Sequence, residues 1–321
     1  MKTLKDAYRE FFTVGAAVGP EQIRTHGELL ATHFNSLTCE NQMKSYCMNT
    51  QPGIYTPEPA QTIVNFAKTH GMTMRGHTLV WHYNTPSHVF EGADRDTLLG
   101  RMREHIFKMA ELFGRDVPVW DVVNEAIGDE GDDVLRKSPW LEIIGPDYLD
   151  HAFRYAAEAM PPGTGLFYND FLDHVPWKRD RICALVRGLQ ERGVPITGVG
   201  LQSHWDLNTN LDDVRRGLEH YAKLGVDVHI TELDINVLPD DDLTRRPAPD
   251  PEAMTRLADM YGLAFAIFRQ FKGVITNVTT WGCADDSTWL DHFPKPNRKN
   301  WPLLFDEQHQ PKEAFGRVVE F

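Results

Sequence analysis

Gly165-Leu166-Phe167-Tyr168, closed by Asn169-Asp170, is a short apolar run, and Gly198-Val199-Gly200-Leu201-Gln202 is a second. Between them Pro176–Arg192 keeps a helical period and stops at Gly193-Val194-Pro195. Strand, helix and strand in that order form a crossover unit. Antiparallel neighbours can be joined by a tight turn, whereas parallel ones need a long connection, so this unit predicts a parallel pair. Working outward, the same alternation recurs. Further strands are predicted at Val14–Val18, Phe34–Cys39, Thr73–Val80, Val117–Val123, Asp227–Thr231 and Val278–Trp281. Helical patterns fall at Pro59–Thr69, Asp96–Phe113, Asp147–Ala159, Leu211–Leu224 and Pro251–Phe271, with the first helices less distinct. Glycine or proline marks most junctions, Gly71 and Gly225 among them.

Eight such units in a chain of 321 residues predict an α/β fold, a single (β/α)8 TIM barrel occupying residues 1–321. A doubly wound open sheet competes. Its first turn should carry a GxGxxG signature, and the nearest pattern, Gly198-Val199-Gly200, lies in the sixth unit and is followed by Leu201-Gln202-Ser203. The Pro- and Asp-rich segment Leu238–Pro251 precedes one more helix and one more strand, so it reads as a long loop inside the barrel.

Composition narrows the function. Hydrophobic residues make up 41% and charged residues 25%, as in ordinary globular proteins. The net charge of −13 disfavours nucleic acid and anionic membranes as partners. The longest apolar run, Leu263–Phe268, is too short to span a bilayer, and no apolar stretch follows the charged N-terminus, so a cytoplasmic protein without a signal peptide is expected. Cys39, Cys47, Cys183 and Cys283 are scattered and read as packed, reduced thiols.

A barrel places its chemistry at the carboxyl ends of its strands. Those ends read Cys39-Glu40-Asn41, His77–His82, Trp120–Glu125, Tyr168-Asn169-Asp170, Gln202–Trp205, Thr231–Asp234 and Trp281-Gly282. Amides, imidazoles, carboxylates and indoles recur there, while the opposite ends are Gly, Pro and aliphatic. Glu125 and Glu232 each terminate an apolar strand, the fourth and the seventh. Paired carboxylates in a sugar-sized cleft are the machinery of glycoside hydrolysis, with one kept protonated and the other ionised. A structural ion-pair network would use the same two residues, and spacing alone leaves both readings open. Trp81, Trp281 and Trp289 on predicted mouth segments, beside Asn41, Asn124, Gln202 and His204, favour a carbohydrate ligand.

Here the residues resemble a family. Trp120-Asp121-Val122-Val123-Asn124-Glu125-Ala126 and His229-Ile230-Thr231-Glu232-Leu233-Asp234 resemble the acid/base and nucleophile signatures of the glycoside hydrolase family 10 endo-β-1,4-xylanases. Gly76–His82, Glu40–Lys44, Gly200–Trp205, and Trp281-Gly282 with Asp285 and Trp289 match that family's other motifs in order, so the resemblance covers roughly residues 10 to 320. It implies a retaining xylanase acting on xylan or, preferentially, on short xylo-oligosaccharides, without a cofactor or a catalytic metal, as a monomer or a homodimer. By resemblance Glu125 is the general acid/base and Glu232 the nucleophile, about 5–5.5 Å apart as retention requires. Asn124 would hold the sugar 2-hydroxyl. His204 would bond Glu232, and Asp234 would orient His204. Glu40, Asn41, Lys44, His77, Trp81 and Gln202 would line the glycone subsites, with Asn84 a further substrate-binding candidate. Trp281 and Trp289 would form floor and roof near the cleavage point, and Tyr168 an aglycone-side platform. The chain departs from the family pattern at Phe171-Leu172, where Tyr-Asn is usual, and at Ser45, where Trp is common. The tail Arg298–Asp306 resembles a leaderless, intracellular branch of the family.

Three alternatives stay open. A metallohydrolase would need clustered ligands, but there is no HExxH, and the odd spacing of His77 and His82 puts them on opposite faces of a strand. A non-catalytic sugar-binding barrel would keep the aromatics and lose a carboxylate. A gluco- or xylosidase would keep the carboxylates and change the cleft. The remaining histidines His26, His33, His105, His151 and His220 read as solvent-facing or satisfied helix residues. The run Asp240-Asp241-Asp242 reads as solvated loop.

Overall fold

The computed structural model describes residues 2–129, 134–239, 242, 244–294 and 296–321. Eight parallel strands run β1 Thr13–Val18, β2 Ser36–Cys39, β3 Thr73–Trp81, β4 Val119–Asn124, β5 Gly165–Asp170, β6 Gly198–Leu201, β7 Asp227–Asn236 and β8 Ile275–Thr280. Each pairs with its neighbour in the chain, and β8 returns to pair with β1, Gly15 opposite Thr279. The sheet therefore closes, and the barrel replaces the open sheet that competed with it. Helices Glu58–Thr69, Arg95–Phe113, Tyr148–Ala159, Pro176–Glu191, Leu211–Ala222 and Pro251–Gln270 lie between the strands, within two residues of the sequence-based limits. Pro176 and Pro251 stand at first-turn positions, where a missing N–H costs nothing, and Asp94 and Asp250 cap their helices.

The strands are buried almost throughout, which explains their continuous apolar runs. Close packing inside needs small residues opposite large ones. A β-carbon on Gly198 would meet the Phe167 ring at 2.2 Å, and one on Gly76 the Trp120 indole at the same distance. Charge also fills the barrel. Arg75 donates to Asp121 Oδ1 at 2.7 Å and to His229 Nδ1 at 2.9 Å, and His77 Nδ1 lies 3.0 Å from Asp121. Burial would raise the Asp121 carboxyl, but Arg75 and His77 outweigh it and hold the group below the usual range.

Several features differ from the sequence reading. The first strand is followed by two short helices, Pro20–Thr25 and Gly27–His33, each too brief to show a clear apolar stripe. β7 continues to Asn236, past the predicted end at Thr231, because a short strand, His204–Asp206, pairs beside it and sets His204 opposite Asp234. Of the histidines read as solvent-facing or satisfied, His26 and His105 are buried and partnered, His26 by Asp286 at 2.9 Å and His105 by Tyr55 at 3.0 Å. Asp240 and Asp241 lie outside the described residues, while Asp242 accepts from Thr244 and pairs with Arg246. No helix among the described residues is long and apolar enough to cross a membrane.

Candidate active site

Glu125 follows directly on β4 and takes a left-handed φ of 55°, unusual for a residue with a β-carbon. Its amide donates to the Asn169 carbonyl at 2.9 Å and its own carbonyl accepts from Arg136 Nε at 3.0 Å, so the turn is held from both sides. Strain of this kind persists where the surroundings over-determine the backbone, which is common at functional sites. The side chain is half-buried. Oε2 accepts from the Trp81 indole at 2.9 Å, and Oε1 from Gln202 at 2.9 Å and Asn124 at 3.1 Å.

Glu232, on β7, is buried and has different partners. Asn169 donates to Oε1 at 2.8 Å, and His204 Nε2 lies 3.2 Å from Oε2. The other imidazole nitrogen of His204 is 2.9 Å from Asp234, whose second oxygen accepts from the Trp289 indole at 2.6 Å. Burial works against a charged His204, but Asp234 and Glu232 overcome it and raise the imidazole to about 10, so it is an imidazolium that donates from both nitrogens at neutral pH. Burial alone would raise the Glu232 carboxyl. His204, His77 and Lys44 reverse the sign and hold it below the usual range. The two glutamates are thus in unlike surroundings, Glu125 among neutral N–H donors and Glu232 beside a cation.

One amide connects them. Asn169 Nδ2 donates to Glu232 Oε1 and, at 2.8 Å, to Asn124 Oδ1, while Asn124 Nδ2 donates to Glu125. Thr231 fixes the Asn169 oxygen at 2.7 Å. A β-carbon on Gly200 would lie 2.2 Å from that oxygen, so glycine there leaves room for the bridge. Asn169 was not singled out from the sequence. The available signal was its place at the end of β5, matching Asn124 at the end of β4.

The remaining mouth residues arrange around this pair. Lys44 Nζ donates to Asn41 at 2.9 Å and stands 5.2 Å over the Trp81 ring and 5.7 Å from that of Trp281. Burial lowers the Lys44 ammonium and raises the Glu40 carboxyl beside it. Trp281 meets His77 and His204 edge-on at 5.4 and 6.2 Å. Trp289 stacks on Phe293 at 4.9 Å. Asn84 joins the rim through its backbone, with φ 52° and its carbonyl accepting from the Tyr46 amide at 3.0 Å.

One expectation fails. Tyr168 has no exposed surface, so it cannot serve as a sugar platform. On β5 it alternates with Asn169, which faces the barrel mouth, so the Tyr168 ring points the other way, into the packed layer outside the barrel, and its hydroxyl accepts from the amides of Ala126 and Ile127 at 3.0 and 3.2 Å while donating to Asp170. Tyr168 braces the chain that follows Glu125. Asp285 is likewise buried, accepting from Lys312 at 2.7 Å and from the Leu303 amide at 2.9 Å.

The model of glycosyl hydrolase family 10 matches residues 3–321. The chain belongs to glycosyl hydrolase family 10. This family 10 chain is 47% identical to an endo-1,4-beta-xylanase of Geobacillus stearothermophilus, over 99% of its own length and 98% of that relative. It is 42% identical to endo-1,4-beta-xylanase B of Paenibacillus barcinonensis, over 99% and 97% of the two chains. Among solved structures, a mutant in complex with xylotriose superposes with a TM-score of 0.98 at 42% identity, covering 100% of each chain. An endo-1,4-beta-xylanase from Caldicellulosiruptor owensensis superposes at 0.96 with 43% identity, again over 100% of both. The family 10 assignment makes the chain a glycoside hydrolase, in agreement with the closed barrel.

Proposed function

We propose that this family 10 chain is a retaining endo-1,4-β-xylanase that cleaves xylan and short xylo-oligosaccharides by double displacement. The observation that carries the reading is the unlike setting of two carboxyls joined through Asn124 and Asn169. Glu232, kept ionised by the His204 cation, attacks the anomeric carbon. Glu125 gives its proton to the departing glycosidic oxygen, and the bond to that oxygen breaks as the ester to Glu232 forms. Water then attacks the same carbon. Glu125 takes a proton from it, and Glu232 leaves as the carboxylate. In this reading the Asn124 amide bonds the sugar 2-hydroxyl, a contact that strengthens as positive charge builds on the ring.

Trp81, Trp281 and Trp289 supply flat faces, and Glu40, Asn41, Lys44, His77 and Gln202 supply polar partners for sugar hydroxyls. A preference for short substrates, and a place inside the cell, rest on the tail Arg298–Asp306, which packs Arg298, Asn300 and Trp301 into the protein. The xylotriose-bound relative supports substrates of that size. The decisive experiment is capture of the intermediate. A 2-fluoro aryl xylobioside should leave a covalent sugar on Glu232, located by peptide mass mapping, and NMR should show the β-anomer first. An inverted first product would end the proposal. Faster turnover of insoluble xylan than of xylotetraose or xylohexaose would end its short-substrate part.

A further inference from the structure

Outside the mouth, the described residues contain one group of metal-binding side chains that converge, His26, Asp286 and His309, whose ligand atoms all lie within 4.8 Å of one another. They come from three distant parts of the chain. His26 sits between helices Pro20–Thr25 and Gly27–His33, Asp286 in the segment after β8, and His309 in a turn near the C-terminus. His26 Nε2 is 2.9 Å from Asp286 Oδ1, and His309 Nε2 is 3.2 Å from Asp286 Oδ2. Tetrahedral ligands at zinc distances are separated by about 3.3 Å, and one carboxylate already meets both imidazole nitrogens, one at each oxygen, so the three groups converge closely enough to close on one ion. The two rings lie 4.0 Å apart, and both present the same nitrogen to one carboxylate.

The surroundings fit a ligand role. His26 Nδ1 lies 2.6 Å from the Thr25 hydroxyl, which also reaches the Glu21 carbonyl at 2.9 Å. The hydroxyl can therefore give its proton to Glu21 and accept Nδ1–H, leaving the Nε2 lone pair for a metal. Such an outer partner is the usual companion of a metal-bound imidazole. The turn that carries His309 is braced as well. Asp306 accepts from the amides of Gln308 and Gln310 at 2.8 Å, and His309 holds a left-handed φ of 62°. His26 is 3% exposed and His309 30%, so the site has a buried wall and a solvent side. A surface cleft lined by Glu28, Gln308 and Gln310 adjoins it and leaves room for a water ligand.

We propose that His26, Asp286 and His309 bind one divalent transition-metal ion, with zinc the best match to two imidazoles and a carboxylate. The site is structural. It stitches the segment after β1 to the segment after β8 and to the C-terminal turn, where the two ends of the barrel meet.

The test uses the full-length enzyme freed of metal by chelator dialysis and titrated with ZnCl2 and, separately, CoCl2. One ion per chain should bind. Cobalt should show the visible bands of a four- or five-coordinate nitrogen/oxygen site. Zinc at a hundredfold excess over its Kd should raise the thermal midpoint by about 5 °C. His309→Gln and Asp286→Asn should each weaken binding at least tenfold and abolish the thermal shift. Hydrolysis at 25 °C should be the same within twofold for metal-free and loaded enzyme, because the mouth residues are untouched. Failure to bind one ion, or equal binding in both variants, would show a hydrogen-bonded triad and overturn the proposal. A sulfur-to-cobalt charge-transfer band would place the ion on a cysteine and overturn it too.

Discussion

His204 Nε2 lies 3.2 Å from Glu232 Oε2, and across this contact a cation and a carboxylate each favour the other's charged form. The imidazole, raised to about 10, stays protonated through neutral pH, and the carboxyl beside it stays ionised below its usual range. Asp234, on the far side of the ring, makes the arrangement stable by supplying the counter-charge.

Replacing His204 with Asn should therefore move the acid limb of kcat/KM. Without that cation, His77 and Lys44 are left to oppose the burial that raises the Glu232 carboxyl, and a nucleophile that must be ionised then loses activity at a higher pH. The expected shift is upward by about one pH unit, with a rate loss of about ten- to a hundredfold at the optimum. A pH–rate profile on an aryl xylobioside measures it. An acid limb that stays in place would show that His204 does not hold the charge on Glu232.

The proposed roles of the two glutamates separate on leaving-group quality. Glu232→Ala should abolish turnover of every substrate, since no glycosyl ester can form. Glu125→Ala should cost about 10²- to 10⁴-fold on xylo-oligosaccharides and much less in the first step on an activated aryl glycoside, which needs little protonation. Burst kinetics with a nitrophenyl xylobioside should then show the glycosylated enzyme accumulating. Equal losses on both substrates would mean the roles are exchanged or absent.

The sequence made the mouth legible because parallel strands buried on both faces read as apolar runs, so Glu125 and Glu232 stand out as polar residues ending them. The same logic should have singled out Asn169, which ends β5 as Asn124 ends β4. An amide, however, has no charge to make its burial conspicuous, and its bridging role depends on which residues face it across the barrel. Tyr168 misled for a related reason. Aromatic identity suggests a platform, but only the alternation of β5 decides whether the ring faces the cleft or the packed layer outside the barrel. The short helices flanking His26 were illegible because each is under two turns, and with them went the burial of His26. His105 was hidden by its helix, whose polar surface gives no hint that one imidazole turns toward Tyr55 at 3.0 Å.

That buried imidazole predicts how stability depends on pH. Burial lowers His105 from 6.5 to about 4, so between those values the unfolded chain binds a proton that the folded one does not. The stability tied to a neutral His105 is thus complete above about pH 6.5 and is lost as pH falls toward 4. Lowering the pH from 7 to 5 should cost about 2 kcal/mol from this group. Urea midpoints across that range should fall, and His105→Phe should flatten the dependence by about that amount. An unchanged slope in the variant would locate the acid sensitivity elsewhere, His229 being the next candidate because burial and Arg75 hold it well below its usual value.

Tyr168→Phe distinguishes a buried brace from a sugar platform, because phenylalanine keeps the ring and removes only the hydroxyl. A platform would survive the change. In the structure the hydroxyl accepts from the Ala126 and Ile127 amides directly after Glu125, and losing it leaves two buried N–H groups without that partner. The expected cost is about 1–3 kcal/mol in stability. Relaxation of the chain behind Glu125 should also lower kcat about tenfold, because small misplacement of a catalytic group is expensive, while KM changes little. Chemical denaturation and steady-state kinetics on xylotetraose measure the two effects. A variant as stable and as active as the parent would return Tyr168 to the role of a ring whose hydroxyl is idle.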